Sequence, residues 1–305
     1  MDNLDQIQKV KNFEGAELQK KLFVGPKMGQ GSFGTVHKVI GTIGSNSQKL
    51  VVKASEDIVT TFNEVHALDQ VHKHAESQGK YKHVADSVPK ALLQGLIYVE
   101  KELQDQNESC SGNRQLGTSA GANGNKNGSS EDDYTPLVYY IMPRYGLNLQ
   151  EILESRGNYL NNASIFGLGL QLLDILELVH DSGLVYNDLK PDNIMIGTED
   201  KLPSQMKSQY DDIFKNVRVN LVDFGLASKW LDNKTGKHCK RKDLEYFQGN
   251  MFFSSVNQLA PKTASRRDDL HSLLYLMIYL INRCSIPALD VMLLNESDDI
   301  KAKLD

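Results

Sequence analysis

The run Tyr186-Asn187-Asp188-Leu189-Lys190-Pro191-Asp192-Asn193 sets a carboxylate, a cation and a carboxamide within one short stretch. Phosphoryl transfer needs that set. Asp188 can orient an attacking hydroxyl and accept its proton, Lys190 can neutralise charge on a moving phosphoryl group, and Asn193 can ligate a metal ion. Downstream, the apolar run ending in Val222-Asp223-Phe224-Gly225 leaves a carboxylate at a strand end, where it can hold Mg²⁺ bridging a nucleotide's phosphates. Upstream, Gly29-Gln30-Gly31-Ser32-Phe33-Gly34-Thr35-Val36 spaces glycines so that backbone amides can approach phosphate without side chains in the way. Dinucleotide folds use the same spacing, but there the third glycine opens a helix. Here β-type Thr35 to Ile40 follows, which favours a strand–turn–strand cover. Lys53 closes the apolar run Leu50-Val51-Val52 and is placed to reach α- and β-phosphates. Glu64, in mid-helix, is preferred as its partner over Glu56, which lies only three residues from Lys53.

The elements that must position these groups are legible as patterns. Leu22 to Lys53 reads as short strands punctuated by glycine, an antiparallel meander. From Asp57 to His74, Ile58, Phe62, Val65, Leu68 and Val71 recur at helical spacing and predict an amphipathic helix carrying Glu64. Val88–Val99 and Leu137–Met142 read as two further strands. Between them, Gln104 to Asp133 is rich in Gly, Ser, Asn and acid, and is expected to be a flexible hairpin insertion. Beyond Met142 the texture turns helical: a short helix over Leu147–Ser155, a long one over Ala163–His180 expected to be buried, and another over Asp269–Ile281. Two short strands, Ile194–Ile196 and Val217–Val222, lie between the last two helices.

At 305 residues the chain can bury a sizeable core. Its formal charge of −5 is uneven, because residues 100–133 carry seven acidic and three basic side chains and so hold −4 of it. Nothing in that balance suggests affinity for nucleic acid. Cys110, Cys239 and Cys284 are odd in number and far apart, which favours neither a disulfide framework nor a zinc site. Met1 to Lys11 has no apolar core of a signal peptide, and Leu270–Ile281, read as the most apolar segment, is too short and polar to span a bilayer. The expectation is a soluble protein of the cytoplasm or nucleus that engages no membrane.

Taken in order from about Leu22 to Leu289, these motifs resemble the eukaryotic protein kinases, and in detail the casein kinase 1 supergroup, which includes the vaccinia-related kinases. That supergroup usually lacks an Ala-Pro-Glu motif after the Asp-Phe-Gly, as does this chain. Its members carry Gly-x-x-x-Tyr/Phe-x-Ser leading to Ser-Arg-Arg-Asp-Asp-Leu-x-Ser-Leu. Here Gly249-Asn250-Met251-Phe252-Phe253-Ser254-Ser255 precedes Ser265-Arg266-Arg267-Asp268-Asp269-Leu270-His271-Ser272-Leu273. The resemblance implies an α+β, bilobal kinase-like fold: an N-terminal extension over 1–21, a small antiparallel β lobe with one main helix over 22–142, and a mainly helical large lobe over 143–305. It also implies a serine/threonine protein kinase using ATP and Mg²⁺, acting as a monomer on protein substrates. By position, Asp188 resembles the catalytic base, Lys190 the phosphate-contacting lysine of serine/threonine kinases, Asn193 and Asp223 the metal ligands, and Lys53 with Glu64 the ion pair. Met28, Gly29, Gly31, Ser32, Phe33, Gly34 and Val36 match the nucleotide cover. Met142 matches the back of the adenine pocket, and Tyr145 lies in the hinge Pro143-Arg144-Tyr145-Gly146. Asp269 resembles the helix aspartate that braces the catalytic loop through backbone amides.

The chain also departs from the family pattern. The usual His-Arg before the catalytic Asp is Tyr186-Asn187, so no cation stands there to receive a phosphorylated activation segment. Activity without such phosphorylation is expected. Pro143 stands where the supergroup's hinge usually begins with an acid, and Phe252 where an arginine helps casein kinase 1 proteins bind a pre-phosphorylated residue. Lys229, Lys234, Lys237, Lys240, Arg241 and Lys242 make the activation segment basic. A solvated surface loop, a dock for acidic or phosphorylated substrates and a nuclear localisation patch all fit that composition. The family continues well past the counterpart of Asp305, so the large lobe is expected to be cut short, with apolar surface bared on Leu270–Ile281. The rival reading is a nucleotide-binding pseudokinase or scaffold, against which Lys53, Asp188, Asn193 and Asp223 are all present.

Overall fold

The computed structural model describes residues 8–31, 34–44, 48–101, 133–197, 213–232 and 234–286. Its first part is a seven-stranded sheet. In chain order the strands are β1 (Gln8–Val10), β2 (Glu17–Leu18), β3 (Leu22–Gly31), β4 (Gly34–Ile40), β5 (Leu50–Ser55), β6 (Leu93–Glu100) and β7 (Tyr134–Pro143), with α1 (Ile58–Ser77) between β5 and β6. They are ordered β1-β6-β7-β5-β4-β3-β2, and all pair antiparallel except β1 with β6. Residues 8–10 and 17–18, which the sequence reading leaves in an extension before the small lobe, are thus strands of its sheet. They also bend it. Strands sit about 4.8 Å apart, so a flat sheet of seven would part its edges by roughly 29 Å. Only residues 11–16 join the two edge strands, and that link spans at most about 25 Å fully extended. The sheet is curled around a core that includes Phe13, Leu18, Leu22, Val52, Ile97 and Ile141.

β5 is buried on both faces. Leu50, Val52 and Ala54 enter the core of the curled sheet, while Val51 joins the core shared with the helices. Because side chains alternate along a strand, Lys53 faces the same way as Val51. The strand expected from Val88 starts only at Leu93. Pro89 has no N–H for a ladder, and the Val88 and Pro89 carbonyls lie 3.1 and 3.0 Å from His72 Nε2. The insertion expected over 104–133 falls, but for Asp133, outside the described residues. The strands it joins pair through to Glu100 opposite Tyr134.

Asp57 caps α1 by accepting from the Thr60 N–H. The buried stripe of α1 is Thr61, Glu64, Leu68, Val71 and Ala75, whereas Phe62 is 54% exposed and Ile58 is exposed too. Periodicity had the helix turned with Phe62 inward. It is rotated so that Glu64 points in.

The remaining chain forms β8 (Leu147–Asn148), α2 (Leu149–Ser155), α3 (Asn162–Asp181), β9 (Leu184–Val185), β10 (Ile194–Ile196), β11 (Val219–Leu221), β12 (Ser228–Lys229), β13 (Leu231–Asp232), β14 (Lys237–His238), α4 (Val256–Leu259) and α5 (Arg266–Ile281). Asn148 and Glu151 form a capping box on α2, and Ser265 with Asp268 does the same on α5. α3 packs on α5, α1 and β11. It is long and apolar enough to cross a membrane by length and composition, yet Ile165, Leu168, Leu172, Ile175, Leu176 and Val179 are core residues here. Each such burial contributes about 1.5–3 kcal/mol. Phe166, Leu170 and Leu173 are exposed, which corrects the expectation that α3 is buried throughout: they share one stripe at i, i+4 and i+7, turned away from that core. Leu270, Leu274, Ile278 and Ile281 on α5 are likewise exposed. Residues 287–305 lie outside the described residues.

Candidate active site

Between the curled sheet and the helices lies a cleft of about 630 Å³. Its roof is the β3–β4 hairpin, with Met28, Gly29, Gly31, Gly34 and Val36 on the lining. A Cβ at Gly29 or Gly31 would meet only open space. Gly34 has φ +134°, and a Cβ there would run into the Ala54 carbonyl oxygen, so that position is fixed as glycine by β5. Ser32 and Phe33, also expected to cover the nucleotide, lie outside the described residues.

Lys53 enters from β5 and is almost fully buried. Its Nζ donates to Glu64 Oε1 and Oε2 at 3.0 and 2.8 Å and to Asp223 Oδ1 at 2.9 Å. Burial opposes the ammonium charge, but Glu64 and Asp223 outweigh it and hold Lys53 above the ordinary lysine value. Burial pushes the Glu64 carboxyl up, with Lys53 pulling the other way. Glu64 also accepts from the Phe224 backbone N–H at 3.1 Å. Asp223 has φ 60°, a left-handed conformation unusual for a non-glycine residue. Phe224 is buried edge-on against Tyr186, ring centroids 5.1 Å apart.

The catalytic-looking octet follows β9. Asp188 is 2% exposed. It receives hydrogen bonds from Lys190 Nζ at 2.7 Å and Asn193 Nδ2 at 2.9 Å, the latter also reaching the Asp188 carbonyl. Burial raises its carboxyl above the ordinary aspartate value, against the pull of Lys190 and Asn193. Lys190, Asn193 and Asp223 line the same cleft as the glycine hairpin and Lys53.

Asp269 at the start of α5 braces the loop. Its Oδ2 accepts from the Tyr186 N–H and its Oδ1 from the Asn187 N–H, both at 2.8 Å, and Oδ2 also meets His180 Nε2 at 2.8 Å. Asn187, with φ 72°, sends its side-chain Nδ2 to the Leu226 carbonyl at 2.8 Å and to Ser228 Oγ at 2.9 Å. The residue before Asp188 therefore ties the catalytic loop to the start of the segment after Asp223.

At the back of the cleft stand Met142 and the hinge residues Pro143, Arg144 and Tyr145. Pro143 has no N–H but keeps its carbonyl. The Arg144 N–H bonds the Lys49 carbonyl and the Gly146 N–H the Gly197 carbonyl, whereas among the described residues the Tyr145 N–H bonds no protein group. Burial raises the Tyr145 phenol well above its ordinary value, with Asp86 adding to the effect.

Of the described residues expected to bind nucleotide or metal or to act on the hydroxyl, Met28, Gly29, Gly31, Gly34, Val36, Lys53, Met142, Tyr145, Lys190, Asn193 and Asp223 line one cleft, and Glu64 and Asp188 are bonded to residues that do. Three contributors were not singled out. Asn250 lines the cleft, Asn187 was noted only for the arginine it replaces, and Tyr140, also on the lining, is discussed below. Tyr140 is opposite Lys53 in the β5–β7 register, so aligning the two strands would have found it. Asn250 follows Gly249, whose Cβ position lies against the Asn187 carbonyl, a proximity no local pattern encodes.

Asp223 and Asn193, both on the lining of the cleft, offer a carboxylate and a carboxamide oxygen. No group of three or more His, Cys, Asp or Glu suited to a metal ion occurs among the described residues. That donor set fits Mg²⁺, which takes one or two protein oxygens and completes its shell with phosphate oxygens and water.

A sequence model described as protein kinase domain matches residues 129–293. Among curated proteins, a casein kinase 1-like protein, HD16, of Oryza sativa subsp. japonica is 32% identical over 148 residues, covering 47% of this chain and 19% of the relative. A probable casein kinase I homolog of Encephalitozoon cuniculi is 30% identical over 147 residues, 48% of this chain and 41% of the relative. The casein kinase I homolog RAG8 of Kluyveromyces lactis is 27% identical over 141 residues, 46% and 24% respectively. The chain thus matches between about a fifth and two-fifths of the length of these relatives. The domain match begins after the glycine hairpin, Lys53 and Glu64, which join the site through the geometry above.

Proposed function

The chain belongs to the protein kinase domain family, with casein kinase 1 proteins among its relatives, and on that premise we propose that it transfers the γ-phosphoryl group of ATP to serine and threonine hydroxyls of proteins. The observation carrying this reading is that Lys53–Glu64–Asp223 and Asp188–Lys190–Asn193 converge on one cleft under a glycine hairpin. The Tyr145 N–H and Pro143 carbonyl supply an adenine edge with a donor and an acceptor. The Gly29–Gly31 backbone can approach the phosphates without side-chain interference, and Lys53, held by Glu64, is aimed at the α/β-phosphate region. Asp188 orients the substrate hydroxyl and accepts its proton, and its buried position keeps that carboxylate from being lost to bulk water. Lys190, drawn to Asp188, balances charge on the transferring group. Asp223 and Asn193 would hold Mg²⁺, which would supply positive charge to offset that of the phosphates.

The Asn187 bonds to Leu226 and Ser228 support activity without activation-segment phosphorylation, because a neutral carboxamide makes directly the tie that a phosphate–arginine pair makes elsewhere. Lys229, Lys234, Lys237, Lys240, Arg241 and Lys242 are exposed, which supports acidic protein substrates. Phe252, exposed in place of the family's arginine, speaks against obligatory priming. One copy supplies every group named, as a monomeric enzyme requires.

The test is transfer of radiolabel from ATP to casein by the full chain and by Asp188→Asn. The variant is expected to lose nearly all turnover while still binding ATP. Undiminished phosphorylation by it would overturn the assignment, and a parent chain that binds ATP without turnover would mean the scaffold role instead.

A further inference from the structure

One buried hydroxyl at the back of the cleft touches no phosphate or metal position. Tyr140 on β7 lies directly opposite Lys53 on β5, and residues so opposed in an antiparallel pair project from the same face. Tyr140 is 1% exposed and lines the cleft. Burial and, after it, the nearby Glu64 carboxylate push the Tyr140 phenol far above its ordinary value, so hydroxyl and carboxylate are neighbours. Glu64 accepts from Lys53 and from the Phe224 N–H, and the Tyr140 hydroxyl is its third polar neighbour. A carboxylate so buried is costly unless its lone pairs are met.

The far end of α1 is tied down independently. Gln70 Nε2 donates to the Ser182 carbonyl at 2.6 Å. Just beyond the helix, the Tyr81 hydroxyl bonds Asp181, and Lys80 pairs with Asp181 and Glu177 at 3.1 and 3.2 Å. Those contacts hold the helix to α3 but lie away from the cleft. At the Glu64 end, Lys53 must be free to engage phosphate and Asp223 to engage metal, so neither can be the permanent anchor. Tyr140 has no other duty.

We propose that Tyr140 is a positioning residue for phosphoryl transfer: its hydroxyl keeps Glu64 seated, so that Lys53 stays aimed when a nucleotide draws it and Asp223 apart. α1 is then held in its working position by this chain alone. The proposal rests on the nucleotide reading of the cleft.

Tyr140→Phe removes only the hydroxyl. A hydrogen bond to a charged group is worth enough for kcat/KM toward ATP to fall about tenfold. KM for the protein substrate is expected to be unchanged, the thermal midpoint near that of the parent, and amide exchange faster around Thr61 to Leu68. Tyr139→Phe is the control, since Tyr139 points into the core of the curled sheet and is expected to leave kcat/KM as it was. In a Glu64→Gln background, Tyr140→Phe is expected to add less than twofold to the loss in affinity for a fluorescent ATP analogue, because the hydroxyl acts through that carboxylate. Unchanged kcat/KM toward ATP in Tyr140→Phe, full additivity with Glu64→Gln, or loss of the cooperative unfolding transition would each overturn the role. A parent chain that neither binds the analogue nor phosphorylates casein would sink the nucleotide reading itself, an outcome distinct from a normal parent with an indifferent Tyr140→Phe.

Discussion

Lys53 and Lys240 are both cations, and they are held in opposite ways. Lys53 is buried and shared between two carboxylates, one of which also accepts from a backbone amide. Lys240, like its neighbours from Lys229 to Lys242, is exposed. The first arrangement fixes a charge to a point, where it can act on a transition state without reorganisation. The second spreads charge over a surface, where it steers partners and is screened by salt. On the proposed function, chemistry and recognition are separated in kind, with Asn187 tying the loop of Asp188 to the segment that carries the exposed lysines.

Substitutions can break that contrast at graded points. The largest effect belongs to Lys53→Met, expected to cut turnover by about a hundredfold to a thousandfold. Leaving Glu64 and Asp223 without their cation should also destabilise the fold by about 3–5 kcal/mol, read as a lower midpoint in urea titration. Turnover within twofold of the parent would place the buried triad outside the chemistry.

An intermediate effect is expected from Asn187→Ala, which removes both side-chain ties to the segment after Asp223 and puts an alanine at φ 72°. Turnover should fall about tenfold. Phosphatase treatment of the parent should leave its rate intact. Mass spectrometry finding an obligatory phosphosite between Ala227 and Phe252 in active protein would contradict this account.

The smallest effect is expected from replacing Lys229, Lys234, Lys237 and Lys240 together by alanine. Acidic peptides should lose about threefold in kcat/KM at low salt and less as salt is raised, while neutral peptides keep their rate. Equal losses on both peptide types would end the idea of acidic substrate docking. Stability should move by less than about 0.5 kcal/mol per site.

The same contrast governs how far the molecule was legible in its sequence. Groups within a few residues of one another, such as Asp188 with Lys190 and Asn193, or Gly29 with Gly31, carry their relation in their spacing. So do helices whose apolar faces repeat. α1 was misjudged in rotation because periodicity measures apolarity, whereas its orientation is set by Glu64 meeting Lys53, Tyr140 and Phe224 from elsewhere in the chain. β1 and β2 passed for part of an extension because their partners, β6 and β3, lie far apart in the sheet, a relation that local pattern does not encode. Pro89 was visible, yet its power to delay β6 depended on His72 meeting the freed carbonyls.

The pairing of β1 also orders events in time. Gln8 pairs with Ile97, so the first described strand waits during synthesis until nearly the whole small lobe has emerged. Until then the outer edge of β6 stands open, offering unpaired amides to any neighbouring chain. Because β6 joins the sheet only through β7, β1 and β2 come to lie in one sheet only once β7 has emerged. The finished sheet then leaves only the short strands β1 and β2 at its rims.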